Sequence, residues 1–413
     1  MSVKQVFNTS AELDYPTVLP TLDLDFANSK TLDPRITFTR ASGGSYTDVN
    51  GLIKLAGVNE PRFDHDPVTG ESLGFLVEES RTNLHLYSED LSNWNAETGA
   101  TISSNAYLSP NGTQTADGIN GTIDGSSAYI ITTLSNATTY TFSVFLKYIS
   151  GVTSIEIQIG DEPFSRSLTT FNVQTGTLLS NTGGTATVNS IQNYGNGWYR
   201  YSITRTTAAS GGAFIDINHR TTTPSTVAVW GAQIEQGSFP TSYIPTEGSS
   251  RTRAADVAGI TGKNFSDFYR QDEGTFIGDW FTNGSANGQP FLLEASDSGR
   301  SIILYIIRET AGTGRVGQYG ATAGGDFDFL NLGVLANNQK AKLGLAYKKN
   351  DAAGVMNGGT LSTDTQTGTI TPDRLGIGNL GNVSGGYQPN GCIKRITYYP
   401  KRLTNQQLQT LTT

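Results

Sequence analysis

The stretch VWGAQIEQGSFPTSYIPTEG, from Val229 to Gly248, changes character halfway along its length. Its first half alternates apolar and polar residues as a half-buried strand does, with Gln233 on the polar face. The residues predicted to share the apolar face are Ala228, Trp230, Ala232 and Ile234. Its second half contains Pro240 and Pro245, which cannot donate to a β-ladder, and so predicts a ribbon along the domain edge that blocks strand addition. We therefore expect Trp230 to pack in the core of a domain that this strand closes.

The rest of the chain indicates the same class of fold. Charged residues make up only 15% of the 413 residues and glycine occurs 48 times, a composition that favours strands and tight turns over helices. The segments 140–148, 155–159 and 199–203 alternate apolar and polar residues. Eight Asn-Gly pairs suit the positive φ angles of hairpin turns. The sequence predicts an all-β protein with two β-sandwich, jelly-roll-like domains.

The pattern of the chain suggests four parts. Residues 88–248 carry the first set of alternating strands and residues 266–413 carry the second, with a Gly- and Ser-rich linker predicted at 249–265. Residues 1–87 are rich in turns and short apolar pieces, and we expect an irregular region that docks onto another protein. Near the end, Thr404 is a predicted N-cap for a short terminal helix.

Charge, cysteine and hydropathy point away from several classes of partner. The formal net charge is -8 and no basic run occurs, so we do not expect nucleic acid as a partner. Cys392 is the only cysteine, which excludes an intrachain disulfide and a multi-cysteine zinc site. The N-terminus lacks the apolar core of a signal peptide and no run of about 20 apolar residues occurs, so membrane insertion is not expected. We predict no cofactor and no metal.

Five stretches carry a resemblance to a known family. The segments TLDLDFANSKTLDPRITFTRASGGSYTDVNG (21–51) and NEPRFDHDPVTGESLGFLVEESRTNLHLYSEDLSNW (59–94) resemble the N-terminal part of virion structural proteins of tailed phages. GNGWYRYSITRT (195–206), together with the stretch after Val229, resembles the closing strands of their carbohydrate-binding-like jelly roll. The segment from EGTFIGDWF to GCIKRITYYPKRLTNQQLQTL (273–411) resembles their C-terminal laminin-G-like or concanavalin-like module.

This resemblance implies a non-enzymatic structural protein on the surface of a phage virion. It suggests a tail fibre or spike component that contacts host surface glycans, binds other virion proteins through residues 1–87 and forms a homotrimer. Two alternatives stay open. One is an architectural protein that decorates the head or cements the tail without binding a receptor. The other is a tailspike that degrades polysaccharide.

Glycan binding directs attention to aromatic side chains with polar neighbours, because a sugar ring stacks on an aromatic face while its hydroxyls form hydrogen bonds. Four such aromatics lie in or near turns, and they are Trp94, Tyr129, Tyr194 and Trp198. The competing interpretation is that each of them fills an end of the sandwich core.

Other motifs give weaker signals. GIGNLG (376–381) matches a dinucleotide-binding pattern, but NVSGGYQPNG follows it and does not predict the helix that such a site requires. Asp64, His65, Asp66 and Glu71 offer oxygen and nitrogen ligands, although Asp-Pro followed by Thr-Gly favours a plain turn. His85 and His219 lack metal-ligand spacing. Glycan hydrolysis needs two facing carboxylates, and the candidates, which the sequence cannot pair, are Asp216, Glu235, Asp279 and Glu294.

Overall fold

The computed structural model describes most of the chain. The described residues are 15–97, 99–151, 153–161, 165–182, 187–208, 211–220, 223–282, 290–298, 302–308, 312–320, 327–336, 339–365, 371–381 and 387–413.

Strands dominate the described residues. Up to the ribbon they are β1 (Leu22–Asp25), β2 (Thr37–Thr39), β3 (Gly44–Thr47), β4 (Ile53–Ala56), β5 (Phe63–His65), β6 (Ser72–Val77), β7 (Arg81–Asn83), β8 (Asn95–Glu97), β9 (Ala100–Tyr107), β10 (Ala116–Gly121), β11 (Ser127–Leu134), β12 (Thr139–Ser150), β13 (Ser154–Asp161), β14 (Ser165–Asn172), β15 (Thr177–Thr182), β16 (Thr187–Asn193), β17 (Trp198–Thr206), β18 (Gly211–His219) and β19 (Ser225–Gln236). Beyond it they are β20 (Arg251–Arg253), β21 (Val257–Thr261), β22 (Glu273–Thr282), β23 (Phe291–Ser296), β24 (Ile302–Arg308), β25 (Thr313–Gly320), β26 (Phe327–Val334), β27 (Gln339–Lys348), β28 (Asp351–Met356), β29 (Ser362–Asp364), β30 (Arg374–Ile377) and β31 (Gly391–Tyr399). The helices are α1 (Phe26–Ser29), α2 (Lys263–Ser266) and α3 (Asn405–Thr412), with a 3-10 turn at Leu91–Asn93.

The first sandwich consists of two six-stranded sheets. Sheet I has the order β16-β17-β12-β19-β10-β9, and sheet II has the order β15-β14-β13-β18-β11-β8. The predicted alternation places the inward faces of β12 and β13 in the shared core, where Phe142, Val144 and Ile157 are buried. The neighbouring strands pair antiparallel, and the two sheets form a sandwich within residues 95–236.

The second sandwich has one sheet of eight strands and one of seven. Sheet III follows the order β29-β28-β27-β22-β31-β6-β5, and β1 also pairs with β31. Sheet IV follows the order β2-β21-β30-β23-β24-β25-β26. Their facing sides share one core, in which Trp280, Leu343 and Ile393 are buried. The all-β class predicted from the sequence is therefore confirmed.

The N-terminal region differs from the irregular docking region that we expected. Within its described residues, β1, β5 and β6 belong to sheet III and β2 belongs to sheet IV. Leu22, Phe26 and Phe75 are buried in the second core. Strands β1, β2, β5 and β6 are therefore part of the second sandwich, because they complete sheets whose other strands lie more than 190 residues later. The β3–β4 hairpin forms a separate two-stranded sheet, and its Ile53 packs against the first sandwich. The first 14 residues lie outside the described part of the chain.

The predicted linker at 249–265 is also an ordered part of the fold. It contains β20, which pairs with β7, and β21, which pairs with β2 and β30. Its two serines, Ser249 and Ser250, come first, whereas Gly259 lies within β21 and Gly262 precedes α2. Residues 251–253 and 257–261 form strands, and Arg253 and Ile260 are buried.

Trp230 is fully buried, as predicted, but it does not share a face with Ala232 and Ile234. Gly231 has φ +65° and forms a β-bulge, so that Trp230 lies opposite Phe145 of β12 while Gln233 lies opposite Ser143. The bulge reverses the alternation. Ala232 and Ile234 point into the sandwich core, whereas Trp230 packs on the outer face of sheet I.

The proline-containing ribbon covers that outer face and does not run along the domain edge. The Tyr243 ring packs against Trp230 with ring centroids 4.4 Å apart. The Ile244 amide donates to Gln233 Oε1 at 2.7 Å, and the Thr241 amide donates to Glu235 Oε2 at 3.0 Å. Burial of these polar groups is possible because each finds a partner in the ribbon. The ribbon therefore seals one face of the first sandwich.

The predicted helix cap and the predicted Asn-Gly turns can be compared with the structure. Thr404 caps α3 in a capping box with Gln407, as predicted. Asn196 and Asn357 have the positive φ expected of hairpin residues, whereas Asn120 lies within β10. Asn283 and Asn287 lie outside the described residues. Among the described helices, none is long and apolar enough to cross a membrane.

Candidate functional site

A partly open cavity of about 600 Å³ lies where the two sandwiches meet. Its size falls within the range of ligand pockets in proteins. One wall is the outer side of β16 and β17, and the opposite wall comes from β3, β5 and β6 with residues 390–391. The ribbon (238–243) closes a third side. The side chains that matter for its chemistry are Tyr46, Asp64, Glu78, Gln192, Tyr194, Arg200 and Phe239.

Arg200 contributes a buried positive charge to the wall. Its residue is only 6% exposed. The guanidinium Nη1 donates to the Thr241 carbonyl at 2.8 Å and Nη2 donates to Ser143 Oγ at 2.9 Å. It also lies over the Phe145 ring, 5.3 Å from the centroid. These contacts hold the guanidinium in one orientation.

Tyr194 stands beside Arg200 at the β16–β17 hairpin. The turn closes through the Tyr194 amide, which donates to the Trp198 carbonyl at 2.8 Å, and Asn196 supplies the left-handed residue. The Tyr194 ring meets Phe145 edge-on, with centroids 4.8 Å apart. Burial raises the pKa of the Tyr194 hydroxyl, and the Arg200 charge partly offsets that effect. Of the four aromatics predicted to bind a sugar, Tyr194 is the one that lines this cavity.

Asp64 places a carboxyl group on the facing wall. Its Oδ1 accepts the Thr47 amide at 2.6 Å. The side chain borders the cavity although protein atoms surround it, and this burial raises the pKa of Asp64 to about 6. The group therefore changes charge close to neutral pH, where it can accept or donate a hydrogen bond.

Glu78 belongs to a buried ion network behind the cavity. Its carboxylate pairs with Arg62 at 2.7 Å and with Arg253 at 3.1 Å. Asp256 pairs with Arg62 and, at 3.0 Å, with Arg40. Burial opposes ionisation of Glu78, but the two arginines and hydrogen bonds from Ser242 outweigh it and lower its pKa to about 2. This network joins residues from the N-terminal region, the ribbon and the segment 249–265, and so fixes the two sandwiches together.

The carboxyls of Asp64 and Glu78 have pKa values displaced in opposite directions, as an acid and a nucleophile of a glycosidase would. However, Glu78 Oε2 already accepts from two arginines and Ser242 Oγ, and its Oε1 accepts the Ser242 amide at 2.7 Å. A carboxylate whose two oxygens both accept hydrogen bonds from the protein has a structural role and is not free to attack a substrate. The arrangement favours binding of a polar ligand through hydrogen bonds and aromatic contacts.

Trp94 and Trp198 are not the exposed platforms that we expected. Trp94 is 5% exposed, and its ring meets His85 edge-on in the first core. Trp198 is 2% exposed, and its Nε1 donates to the Leu108 carbonyl at 3.2 Å. Trp94 lies in the core between the two sheets, as the competing interpretation expected. Trp198 lies instead in the cluster on the outer face of sheet I, with Phe145 and Trp230.

Tyr129 lies on the opposite side of the first sandwich from the cavity. It is half-buried on the outer face of sheet II, stacked on Phe214 with centroids 4.7 Å apart, and its register partners are Asn95 and Asp216. The polar neighbours expected from the sequence are present. The structure does not bring Tyr129 together with Tyr194, so the four predicted residues do not form one site.

The remaining candidates have structural environments. Asp66 Oδ1 accepts the amides of Val68 and Thr69, which confirms a turn, and Glu71 pairs with Lys394 at 2.6 Å. Among the described residues no group of three His, Cys, Asp or Glu side chains is placed to hold a metal ion. The four carboxylates considered for hydrolysis lie on four different sheets and none lines the cavity; they are Asp216, Glu235, Asp279 and Glu294.

His85 and His219 are buried in the first sandwich. His85 Nε2 lies 2.9 Å from the Tyr87 carbonyl, and His219 Nδ1 lies 2.5 Å from Ser225 Oγ. Burial lowers the pKa of each histidine to about 4. Both are therefore structural groups that remain uncharged near neutral pH.

Arg200 and Asp64 were missed as parts of a binding site. In WYRYSITR, Arg200 lies between residues of the predicted apolar face, so the pattern predicts that its side chain points outward into solvent. Asp64 reads as part of a turn. No local pattern reveals that the ribbon and the N-terminal strands cover sheet I and enclose these two side chains.

The described sheets and cavity define an all-β protein of two joined sandwiches with a polar, aromatic-lined cleft between them. No protein-family model matches the sequence, and no curated protein matches it. Among solved structures, the chain is similar to the CBM40 of an IT-sialidase from Ruminococcus gnavus with α2,3-sialyllactose bound, at 18% identity over 36% of this chain and 86% of that chain, with a TM-score of 0.32.

Two further similarities are of the same kind. A SAP-like pentraxin from Limulus polyphemus matches at 13% identity over 34% of this chain and 70% of that chain, with a TM-score of 0.27. A sialidase from Trypanosoma rangeli matches at 13% identity over 72% of this chain and 60% of that chain, with a TM-score of 0.30. Similarities this distant carry no argument about function.

Proposed function

We propose that this protein is a non-enzymatic, glycan-binding component of the surface of a phage particle, and that the cavity between the sandwiches is its glycan site. The observation that carries the proposal is the lining of that cavity. Tyr46, Tyr194 and Phe239 offer aromatic surface, while Arg200 and Asp64 offer a fixed donor and an acceptor. A saccharide presents both apolar ring faces and hydroxyls, and so matches this combination.

The proposal treats the protein as a binder because the carboxylates near the cavity do not form a free pair. Glu78 is held by two arginines, and only Asp64 remains available to a ligand. The phage context rests on the sequence resemblance over residues 21–411. Within that context we place the protein in a tail fibre or spike that contacts host surface glycans, as a homotrimer that binds other virion proteins.

An array of bacterial surface polysaccharides tests the binding proposal. Gln192 is exposed and lines the cavity, so Gln192→Trp blocks the mouth without entering a core. Leu179→Trp is the matched control, because Leu179 is exposed on β15 of the other sheet. We expect wild type and Leu179→Trp to bind the same polysaccharides, and Gln192→Trp and periodate-treated polysaccharides to show no binding.

Equal binding by Gln192→Trp and wild type would place the site elsewhere, and the outer face of sheet II around Tyr129 is the next candidate. Absence of binding to every polysaccharide would contradict glycan binding itself. Immunogold labelling of phage particles with antibodies to this protein tests the virion context separately. Labelled particle surfaces are the expected result.

A purely architectural role is favoured by one other observation. Val49, Leu55, Val58 and Val68 are each more than half exposed and belong to the turns and hairpin of β3 to β6. The Val49 side chain lies beside Gly70, in the same turn that carries Val68. Apolar side chains on a surface suit contact with another protein.

The two roles are separable by a variant of that surface. In an architectural protein, Leu55→Ser with Val58→Ser reduces incorporation into particles and leaves binding to the polysaccharide array unchanged. In a protein whose attachment to the particle uses a different surface, incorporation stays at the wild-type level.

A further inference from the structure

The positive charge of Arg200 differs from the other charges around the cavity. The arginines of the ion network each pair with a carboxylate, and these are Arg40, Arg62 and Arg253. Arg200 instead donates to a backbone carbonyl and a serine hydroxyl, both of which are uncharged. Among the described residues no carboxylate forms an ion pair with it.

Arg200 also has an unused donor. Its Nε is buried and has no hydrogen-bond partner among the described residues. A buried donor without a partner costs about 1–3 kcal/mol, and more when the group is charged. A buried cation is ordinarily paired with an anion. The wall of the cavity therefore carries a positive charge that no carboxylate among the described residues pairs with, on a side chain whose buried Nε is also unsatisfied.

The carboxyls that face the same space do not remove this imbalance. Glu78 is neutralised by Arg62 and Arg253. Asp64 is raised to a pKa of about 6 by burial, so below that pH it is mostly uncharged. Tyr46 and Tyr194 also line the cavity, and burial raises the pKa of both, so that they stay neutral at physiological pH.

We propose, building on the glycan-binding function proposed above, that the ligand of this cavity is an acidic saccharide whose carboxylate binds the Arg200 guanidinium. A carboxylate supplies the missing anion. Charge-assisted hydrogen bonds of this kind are about twice as strong as neutral ones. The remaining hydroxyls of the sugar face Tyr194, Gln192 and Asp64.

The test compares sugars that differ only at one carbon. The probes are the methyl glycosides of glucuronic acid and galacturonic acid, each with the neutral glycoside that carries CH₂OH in place of the carboxylate. Binding to the full-length protein is measured by ligand-observed NMR at about pH 5.5, where Asp64 is largely protonated. We expect at least one acidic glycoside to bind about tenfold more tightly than its neutral partner, a ratio equivalent to about 1.4 kcal/mol.

Variants then locate the effect. In Arg200→Gln we expect the acidic glycoside to fall to the affinity of the neutral one, while the affinity of the neutral glycoside stays unchanged. Arg220→Gln is the matched control, because Arg220 lies beside Glu156 on the sheet II side of the first sandwich, and it should keep the preference. Because the wild-type comparison needs no variant, a failure of Arg200→Gln to fold leaves the test valid.

Equal affinities of acidic and neutral glycosides for the wild-type protein would overturn this proposal and leave glycan binding intact. So would binding of neutral polysaccharides on the array with no affinity for either acidic glycoside. A preference that persists in Arg200→Gln would place the carboxylate elsewhere and also overturn it. Failure of every polysaccharide on the array is a different result, since it contradicts the proposed function itself.

Discussion

Phe75 on β6 lies opposite Ile393 on β31, so a strand from the first fifth of the chain completes a sheet of the last domain. β1 pairs along the same strand, with Leu24 opposite Ile396. The N-terminal region therefore cannot be an independent attachment arm. Its described strands are required by the second sandwich.

A chain that begins at residue 88 should lose the second sandwich. It lacks four strands of sheets III and IV and the buried side chains of Leu22, Phe26 and Phe75, each of which contributes about 1.5–3 kcal/mol on burial. We expect limited proteolysis to degrade residues beyond 266 while a fragment of the first sandwich resists. A truncated chain with both sandwiches protease-resistant would contradict the strand assignments.

Trp230→Ala should lower the free energy of unfolding by about 3–5 kcal/mol, the usual cost of removing a core aromatic. The indole packs against Phe145 and Tyr243 and donates from Nε1 to Thr115 Oγ1 at 3.1 Å. Chemical denaturation measures the change. Trp230→Phe is a suitable control and should retain most of the stability. If the alanine variant had the same unfolding free energy as the wild type, the ribbon would not cover this residue.

Glu78→Gln should lower the free energy of unfolding far more than Asp23→Asn. Glu78 is buried between Arg62 and Arg253, and loss of one partner from a buried pair costs about 3–5 kcal/mol. Asp23 pairs with Arg395 on the surface, where such a pair contributes about 0–1 kcal/mol. Denaturation of both variants under the same conditions makes the comparison. Similar losses would show that the network does not join the sandwiches.

The stabilisation that neutral His85 and His219 give the folded chain should fall as the pH decreases from 6.5 to 4, and protonation of Asp64, whose folded pKa is about 6, offsets part of that loss. The pKa of the two histidines is about 4 when folded and near 6.5 when unfolded, so in this window they bind more protons in the unfolded chain. The stabilisation is complete above pH 6.5 and declines through the window by roughly 2–3 kcal/mol per histidine. Urea denaturation at about pH 7 and pH 4.5 measures it.

His85→Asn supplies the internal control for that measurement. Its packing defect lowers stability equally at both pH values, whereas the contribution from His85 protonation disappears. The difference in unfolding free energy between the two pH values should therefore shrink by roughly 2–3 kcal/mol. An unchanged difference would mean that His85 titrates with an ordinary pKa.

Much of the fold was predictable where side chains alternate over long strands. The inward residues of β12 and β13, such as Phe142 and Ile157, lie in the core as their spacing predicts. The terminal helix was equally clear from Thr404 and the residues after it. By contrast, β1, β2 and β5 have only three or four residues each, too few to show a period, and their partners lie far away in the sequence.

The site was less predictable because it depends on what covers a sheet face. The bulge at Gly231 reverses the alternation of β19, and the ribbon then encloses Arg200 on a face that the pattern assigns to solvent. Trp94 is buried in the core between the sheets and Trp198 in the cluster around Trp230, and neither burial is visible from the neighbouring sequence. Only Tyr194 reaches the cavity among the predicted aromatics, because the hairpin turn directs it there.

The most direct test of the central claim is a crystal structure of the protein soaked with saccharide fragments released from a polysaccharide that binds on the array. The account predicts a sugar in the cavity between the sandwiches, in contact with Tyr194 and Arg200. A sugar bound only at another surface, such as the face of sheet II around Tyr129, would contradict it.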